Sequence, residues 1–446
     1  MIVSSPSKSS PILIVRLAIM MFLQFFVWGA WYVSMNGFLT ENGMSNFIAA
    51  AYTVAPIAAI LAPLSVGLIA DRLLNTEWVL GILNLVGAAL LWYAPSLASV
   101  DPVDGLLFSF ESPGLSWLNQ FGHPMVLCLL AYMMCFMPTL ALTASLSFKH
   151  LSDGENEFPI VRVLGTIGWI VGNWAMLFTR NITGAAEIYT DNSEFIFKAA
   201  AIASAVLGIY SLTLPTTSPP AKGEPISLGK VLGFDAWSML KDKSFFVFAL
   251  ASYLTCIPLA GYYANGYGFV DKMEIQLFGS TTGAMSTGQM SEIFFMLALP
   301  LCFSRFGVKN MLIIGMMAWV LRYVLWGFAF GQEGALLTLP VFLGIVLHGI
   351  CYDFFFVVGM IYTDKKAKPE VRSQAQSLIV MLTQGLGLGI GAQAFGWLAT
   401  QCTVDKTLDF AKFWYAPALF ALAVAVFFFL AFWDRSADDN TRTESN

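Results

Sequence analysis

The sequence predicts an all-α membrane protein: twelve transmembrane helices arranged as two six-helix halves. Three observations carry that prediction. Of 446 residues, 57% are hydrophobic and only 11% are charged, whereas a soluble domain carries about 25% charged residues. Water is therefore the wrong solvent for most of the chain. Twelve stretches each supply the roughly 20 mostly apolar residues needed to cross a hydrocarbon core, and the longest polar connection falls after the sixth. The same composition excludes a soluble enzyme and a disordered chain. A net charge of −5 leaves no basic surface for nucleic acid.

In chain order the predicted spans are 16–39, 46–70, 77–97, 124–148, 159–179, 195–214, 244–269, 282–304, 311–330, 335–362, 373–399 and 410–433. Charge, Pro or Gly clusters bound each one. The first resembles a secretory signal because Lys8 and Arg16 precede it, but its apolar run continues from Leu17 to Leu39 with no short core and no cleavage site, so it reads as a retained span. Spans two and eight each end in a tight basic turn, within GLIADRLLNTEWVLGI and LCFSRFGVKNMLIIGM. Pro56, Pro63, Pro138 and Pro258 mark kinks in spans two, four and seven. Span eleven carries Gly385, Gly387, Gly389, Gly391 and Gly396, spaced for close helix contact or bending.

Lys and Arg orient the spans, since basic residues collect on the cytoplasmic side. With both termini inside, sixteen fall inside, from Lys8 through Arg442. Five fall outside: Arg180, Lys198, Lys272, Lys406 and Lys412. The remaining two, Arg162 and Arg322, lie within the membrane. The connection 215–243 contains four prolines and divides the chain into residues 1–214, a cytoplasmic central loop, residues 244–434 and a short cytoplasmic tail 435–446. The paired basic turns form a weak repeat at the same point of each half. Two parallel six-helix halves are the architecture of the major facilitator superfamily. The first turn resembles that superfamily's loop motif through Gly67, Asp71 and Arg72, without the downstream Gly and basic pair.

An ionised side chain in the hydrocarbon region is costly and is a functional candidate by default. Four qualify, with charges summing to zero: Arg162 in span five, Glu292 in span eight, Arg322 in span nine and Asp353 in span ten. Arg162, Thr166 and Trp169 fall at i, i+4 and i+7 on one helix face, a cation, a hydroxyl and an indole suited to a polar aromatic ligand. Snorkelling of Arg162 to the surface is the competing reading. Gly165, Gly168 and Gly172 suit close helix packing. Gln289 and Glu292 sit side by side at i and i+3. His348 and Tyr352 share a face of span ten, flanked by Asp353, while Phe354 to Phe356 suit core or lipid contact. Arg322 is expected to neutralise Glu292 or Asp353 within its own half, as a structural ion pair. Desolvation favours the neutral form of a carboxyl and a nearby cation favours the charged form. A carboxyl whose partner moves during transport can therefore gain and lose a proton, and Asp353 and Glu292 are both candidates for that coupling.

No Walker motif, Cys pair or His cluster occurs, so no cofactor, metal or nucleotide engine is expected. GTIG and GLGLGIG lie inside apolar spans with no preceding strand, which excludes phosphate loops. The cysteines read as small buried residues, and the Asn181-Ile-Thr183 sequon is short enough to arise by chance.

The sequence resembles the nucleoside:proton symporter family of the major facilitator superfamily, especially its nucleoside permease branch, over nearly the whole chain. The markers are MMFLQFFVWGAWYV, MPTLALT, FPIVRVLGTIGWI, LGFDA, SEIFFMLALP, SRFGVKN and HGICYDFFFV followed by DKKA. The resemblance implies Arg162, Thr166, Gln289, Glu292 and Asp353 as nucleoside ligands. Trp169 and Tyr352 stand where the best-known members have Phe, and His348 where they have Tyr, so aromatic character survives for stacking on a base. In span seven, CIPLAGYYANGYGFV offers Tyr262, Tyr263 and Asn265 in place of the family's Gln and Asn.

The function so predicted is a secondary transporter of the inner membrane that imports nucleosides with protons by alternating access, working as a monomer in the lipid bilayer, with no nucleic acid partner. Its two halves rock around a midplane site. Competing readings are proton-coupled uptake of a sugar or nucleobase, and a non-transporting membrane sensor or membrane-embedded enzyme. The three dispersed histidines supply no nucleophile–base pair for an enzyme, and the short tail supplies no sensor domain.

Overall fold

The computed structural model describes residues 9–70, 74–101, 104–112, 115–185, 187–188, 192–219, 234–277, 281–404 and 407–433. Among these residues, helices cover all twelve predicted spans. Asp71 and Arg72 of the first basic turn, residues 220–233 of the central connection and the tail from residue 434 lie outside the described residues.

Several spans are built from more than one helical piece. Span one is Pro11–Tyr32 followed by Met35–Glu41, and span five is Gly154–Asn173 followed by Ala175–Thr183. Spans eight and nine form one run, Thr281–Ala329, turned at Gly307 where φ is 69°. That left-handed conformation carries little cost only for a residue without a Cβ. Span ten breaks into Ala335–Val346, His348–Tyr352, a π-helical turn Asp353–Val357, and Val358–Lys366. Span eleven contains a second π-helical turn, Met381–Gly387. Eight helical runs among the described residues are long and apolar enough to cross a bilayer, and the longest holds two spans. Span six falls short at 17 residues, and span five is interrupted and carries Glu155, Glu157 and Arg162. The two-residue strands Thr403–Val404 and Thr407–Leu408 pair antiparallel before span twelve.

The chain groups into two compact units, Met1–Asp153 with Leu164–Gly233, and Gly154–Val163 with Phe234–Asn446. The first ten residues of span five thus belong with the second unit.

In the first unit, spans one and five cross with their backbones nearly touching. A Cβ on Gly168 would lie 2.1 Å from the Phe22 carbonyl oxygen, and one on Gly172 would lie 2.6 Å from that of Phe26. From the opposite side, a Cβ on Gly29 would lie 2.5 Å from the Trp169 carbonyl oxygen. These are the close packing contacts that the glycine spacing predicts. Gly168→Ala must push two backbones apart, and overpacking of this kind costs about 1–3 kcal/mol. The purified variant should melt several degrees below the wild type, and an unchanged melting temperature would disprove so close a crossing. Spans one and four are joined by a buried bond in which Gln24 Nε2 donates to Thr139 Oγ1, 2.7 Å. Beyond span six, Thr217 is pinned to span three: its N–H donates to Glu77 Oε2 at 2.9 Å and its carbonyl accepts from Thr76 N at 3.0 Å. His123 caps span four, its Nδ1 accepting from Met125 N at 3.2 Å. Burial pushes its pKa below the ordinary histidine value.

The second unit has an aromatic core. Tyr323 stacks on Trp414 at 5.8 Å and 8°, and Trp326 Nε1 donates to the Val341 carbonyl at 3.1 Å. Tyr323 also donates to the carbonyl of Pro258 at 3.0 Å, inside span seven. Span eleven rests on span seven through Gly387 and Gly391, where an added Cβ would lie 2.7 Å from Cys256 Cβ and 2.4 Å from the Ile257 carbonyl oxygen. Among the described residues nothing lies within 4 Å of a Cβ placed on Gly396. Asp409 caps span twelve by accepting from Lys412 N at 3.2 Å; that bond holds its carboxyl below the usual carboxylate range.

Candidate functional site

The polar residues of the second unit meet because spans eight and ten approach closely at small residues. A Cβ on Gly349 would lie 2.7 Å from the Ser291 backbone, and one on Gly288 would lie 3.0 Å from the Ile345 carbonyl oxygen. Span ten breaks at Leu347, and Ser291 occupies the break. Its Oγ lies 2.7 Å from the Val346 carbonyl and accepts the Gly349 N–H at 3.0 Å. Side-chain bonding of this kind is how an interrupted helix re-satisfies its backbone inside a membrane.

One residue past Ser291, Glu292 Oε1 lies 3.0 Å from His348 Nε2, and both side chains are buried. The imidazole stacks on Tyr262 at 5.7 Å and 24° and meets Trp319 edge-on at 6.4 Å. Tyr352, half-buried, lies 5.5 Å from it on the same helix face. Gln289, half-buried, sits one turn before Glu292.

Asp353 is fully buried and opens the π-helical turn of span ten. Neither of its carboxyl oxygens has a hydrogen-bond partner among the described residues. The Glu292 charge opposes it and the Arg162 charge attracts it. Arg162 is itself only 5% exposed and its charge also reaches Tyr352. The arrangement can bind and release a proton: a buried carboxylate without hydrogen bonds is costly, and its balance depends on two neighbouring charges of opposite sign. π-Helical turns concentrate at functional sites.

The ion pair expected for Arg322 takes another form. Arg322 is fully buried, and its Nε donates to the Gly344 carbonyl of span ten at 2.8 Å. Its guanidinium lies 4.5 Å from the centre of the Tyr262 ring and 4.6 Å from that of Trp319. Two aromatic faces and a carbonyl thus take the place foreseen for a carboxylate. The reason is positional, since His348 stands against Glu292.

Arg162, Glu292, His348, Tyr352 and Asp353 therefore come together within one unit. Thr166, buried, and Trp169, half-buried, belong to the first unit, where Trp169 meets Trp28 edge-on at 5.4 Å and 88°. In span seven, Asn265 Nδ2 donates to its own helix at Gly261 O, 3.2 Å, and Tyr263 is half exposed. The sequence reading did not single out Ser291 or Trp319. Trp319 was detectable: Trp319, Arg322, Tyr323 and Trp326 repeat at i, i+3, i+4 and i+7, an aromatic face wrapped around a cation.

The model of the nucleoside H+ symporter family matches residues 12–111 and 118–437. YegT of Escherichia coli strain K12 is 37% identical over 425 residues, covering 94% of this chain and 93% of YegT. The crystal structure of the nucleoside transporter NupG, a nucleoside permease in Escherichia coli, superposes with TM-score 0.66 and 27% identity over 95% of this chain and all of that one. The proton:xylose symporter XylE of the major facilitator superfamily superposes with TM-score 0.63 and 12% identity over 94% of this chain and 96% of XylE, a likeness of fold. With twelve helical spans and charged groups buried among them, the chain belongs to the nucleoside H+ symporter family, multi-pass membrane transporters of the major facilitator fold and not enzymes.

Proposed function

We propose that this protein imports a nucleoside together with a proton by alternating access, and that the charged and aromatic cluster of spans five, eight and ten does the work. The observation that carries this reading is Asp353, a fully buried carboxyl at a π-helical turn without a hydrogen-bond partner among the described residues. An external proton neutralises Asp353 or Glu292, and the nucleoside then binds. Its base stacks on Tyr352 and Trp169, with His348 completing the aromatic group. Its ribose hydroxyls meet Arg162, Gln289 and Glu292, with Thr166 as a further hydroxyl ligand. Inside, at higher pH, proton and nucleoside leave.

The halves proposed to alternate are residues 1–214 and 244–434. The excess of Lys and Arg on one side supports cytoplasmic termini in an inner membrane. The working unit is one chain in the lipid bilayer, and the acidic balance of the sequence speaks against a nucleic acid partner.

The test is uptake of labelled uridine and adenosine into proteoliposomes under an inward proton gradient, with and without a protonophore. Accumulation that collapses with the protonophore is expected. Uptake unaffected by it refutes proton coupling, and no uptake by folded protein refutes the nucleosides as substrates, leaving a sugar or nucleobase.

A further inference from the structure

We propose that His348 and Glu292 form a single shared proton-binding pair, an acceptor additional to Asp353, and that Tyr262 and Arg322 are the residues that position it. This inference rests on the proton-coupled reading above and gives His348 a role in addition to its place in the aromatic group.

His348 is 4% exposed, so most of its ring packs against protein. Its Nε2 is committed to Glu292 at 3.0 Å, and its Nδ1 has no hydrogen-bond partner among the described residues. With Nε2–H donating to the Glu292 carboxylate, Nδ1 carries a bare lone pair. An arriving proton adds there: one N–H bond forms, none breaks, and the resulting imidazolium keeps its bond to Glu292. The pair passes from a charge of −1 to 0, and release reverses the step.

Three aromatic rings pack around the imidazole. From span seven the ring meets Tyr262, from span nine Trp319, and from its own helix Tyr352. The charged groups acting on it are Glu292 of span eight and Arg322 of span nine, one of each sign. Further along the helix, Asp353 feels the charges of Glu292 and of Arg162 in span five. With His348 neutral and both carboxyls ionised, Arg162, Arg322, Glu292 and Asp353 sum to zero charge. A proton taken up by the pair makes the set +1. Tyr262 lies against both the Arg322 guanidinium and the imidazole, and Arg322 is anchored to the Gly344 carbonyl. Ring and cation thus keep their spacing as the proton comes and goes.

The experiment is nitrogen NMR of nucleoside-free, full-length protein labelled with ¹⁵N-histidine and reconstituted in lipid. His348→Gln identifies the His348 signals by their loss among the three histidines. In the wild type these signals should convert from neutral imidazole to imidazolium between about pH 8 and 5. In Glu292→Gln the midpoint should move by about one pH unit or more. A His348 that stays neutral across that range, or one whose midpoint is the same in Glu292→Gln, overturns the proposal. As a second readout, the pH profile of uridine affinity should be displaced in His348→Gln and in His348→Tyr, which retains an aromatic ring for the stack. Superimposable profiles in either folded variant would leave His348 a packing residue. A wild type without gradient-driven accumulation removes the underlying reading instead, whatever the NMR midpoint.

Discussion

Asp353→Asn should abolish gradient-driven accumulation of nucleoside while leaving exchange of nucleoside across the membrane in place. The amide has nearly the volume and shape of the carboxyl, so the π-helical turn Asp353–Val357 has no steric reason to change. What disappears is the ability to take and release a proton at a fully buried position, together with the pull toward Arg162 and the opposition from Glu292. A gradient of one pH unit stores about 1.4 kcal/mol per proton. Coupled one to one, that sustains about a tenfold accumulation, and an uncoupled carrier sustains none. Steady-state uptake of labelled uridine should fall to the external concentration in the variant, whereas counterflow between loaded and external uridine continues. Full accumulation in Asp353→Asn would assign the coupling to Glu292 and its His348 partner alone.

Arg322→Gln should lower stability severely and, in the fraction that folds, leave nucleoside selectivity as it was. The guanidinium is desolvated between Tyr262 and Trp319, at 4.5 Å and 4.6 Å from the ring centres. A desolvated cation–π contact contributes about 2 kcal/mol. The bond from Nε to the Gly344 carbonyl ties span nine to span ten, and hydrogen bonds from charged donors contribute about 1.5–3 kcal/mol. Melting of the purified protein in detergent should drop by many degrees, with reduced yield. Arg322→Lys should recover part of the loss, because it restores the charge without the planar face that rests on the rings. A stable Arg322→Gln protein with altered selectivity would place Arg322 at the solute.

The contrast between these two arginines shows how far hydropathy reaches. Arg162 and Arg322 both stand out in the sequence as cations inside apolar spans, and both are buried. Their partners did not follow from the same reading. Arg322 was expected to meet a carboxylate of its own half, but Glu292 instead faces His348 at 3.0 Å and Arg322 faces rings. The glycine spacing predicts close packing at Gly168 and Gly172, and both lie against the backbone of span one, since a small residue among large apolar ones has few other uses in a helix crossing. Ser291 carried no comparable signal. A serine in an apolar span is ordinary, and its task exists only because span ten breaks opposite it, at Leu347.

The chain's own residues determined its solvent, its twelve spans and the short set of charges buried in them. Those properties are local: about 20 apolar residues suffice for a crossing, and a charge among them is conspicuous wherever it points. Tertiary structure alone decided which of those charges meet. Glu292, Arg322 and His348 lie tens of residues apart, and each helix residue turns the side chain by about 100°. One extra residue in the turn at Asp353, or the Gly349 N–H diverted to Ser291 Oγ, therefore re-aims the groups beyond it. The packing of Gly288 and Gly349 against the neighbouring span sets that rotation. It is why the carboxylate of Glu292 found an imidazole and the cation of Arg322 found two aromatic faces.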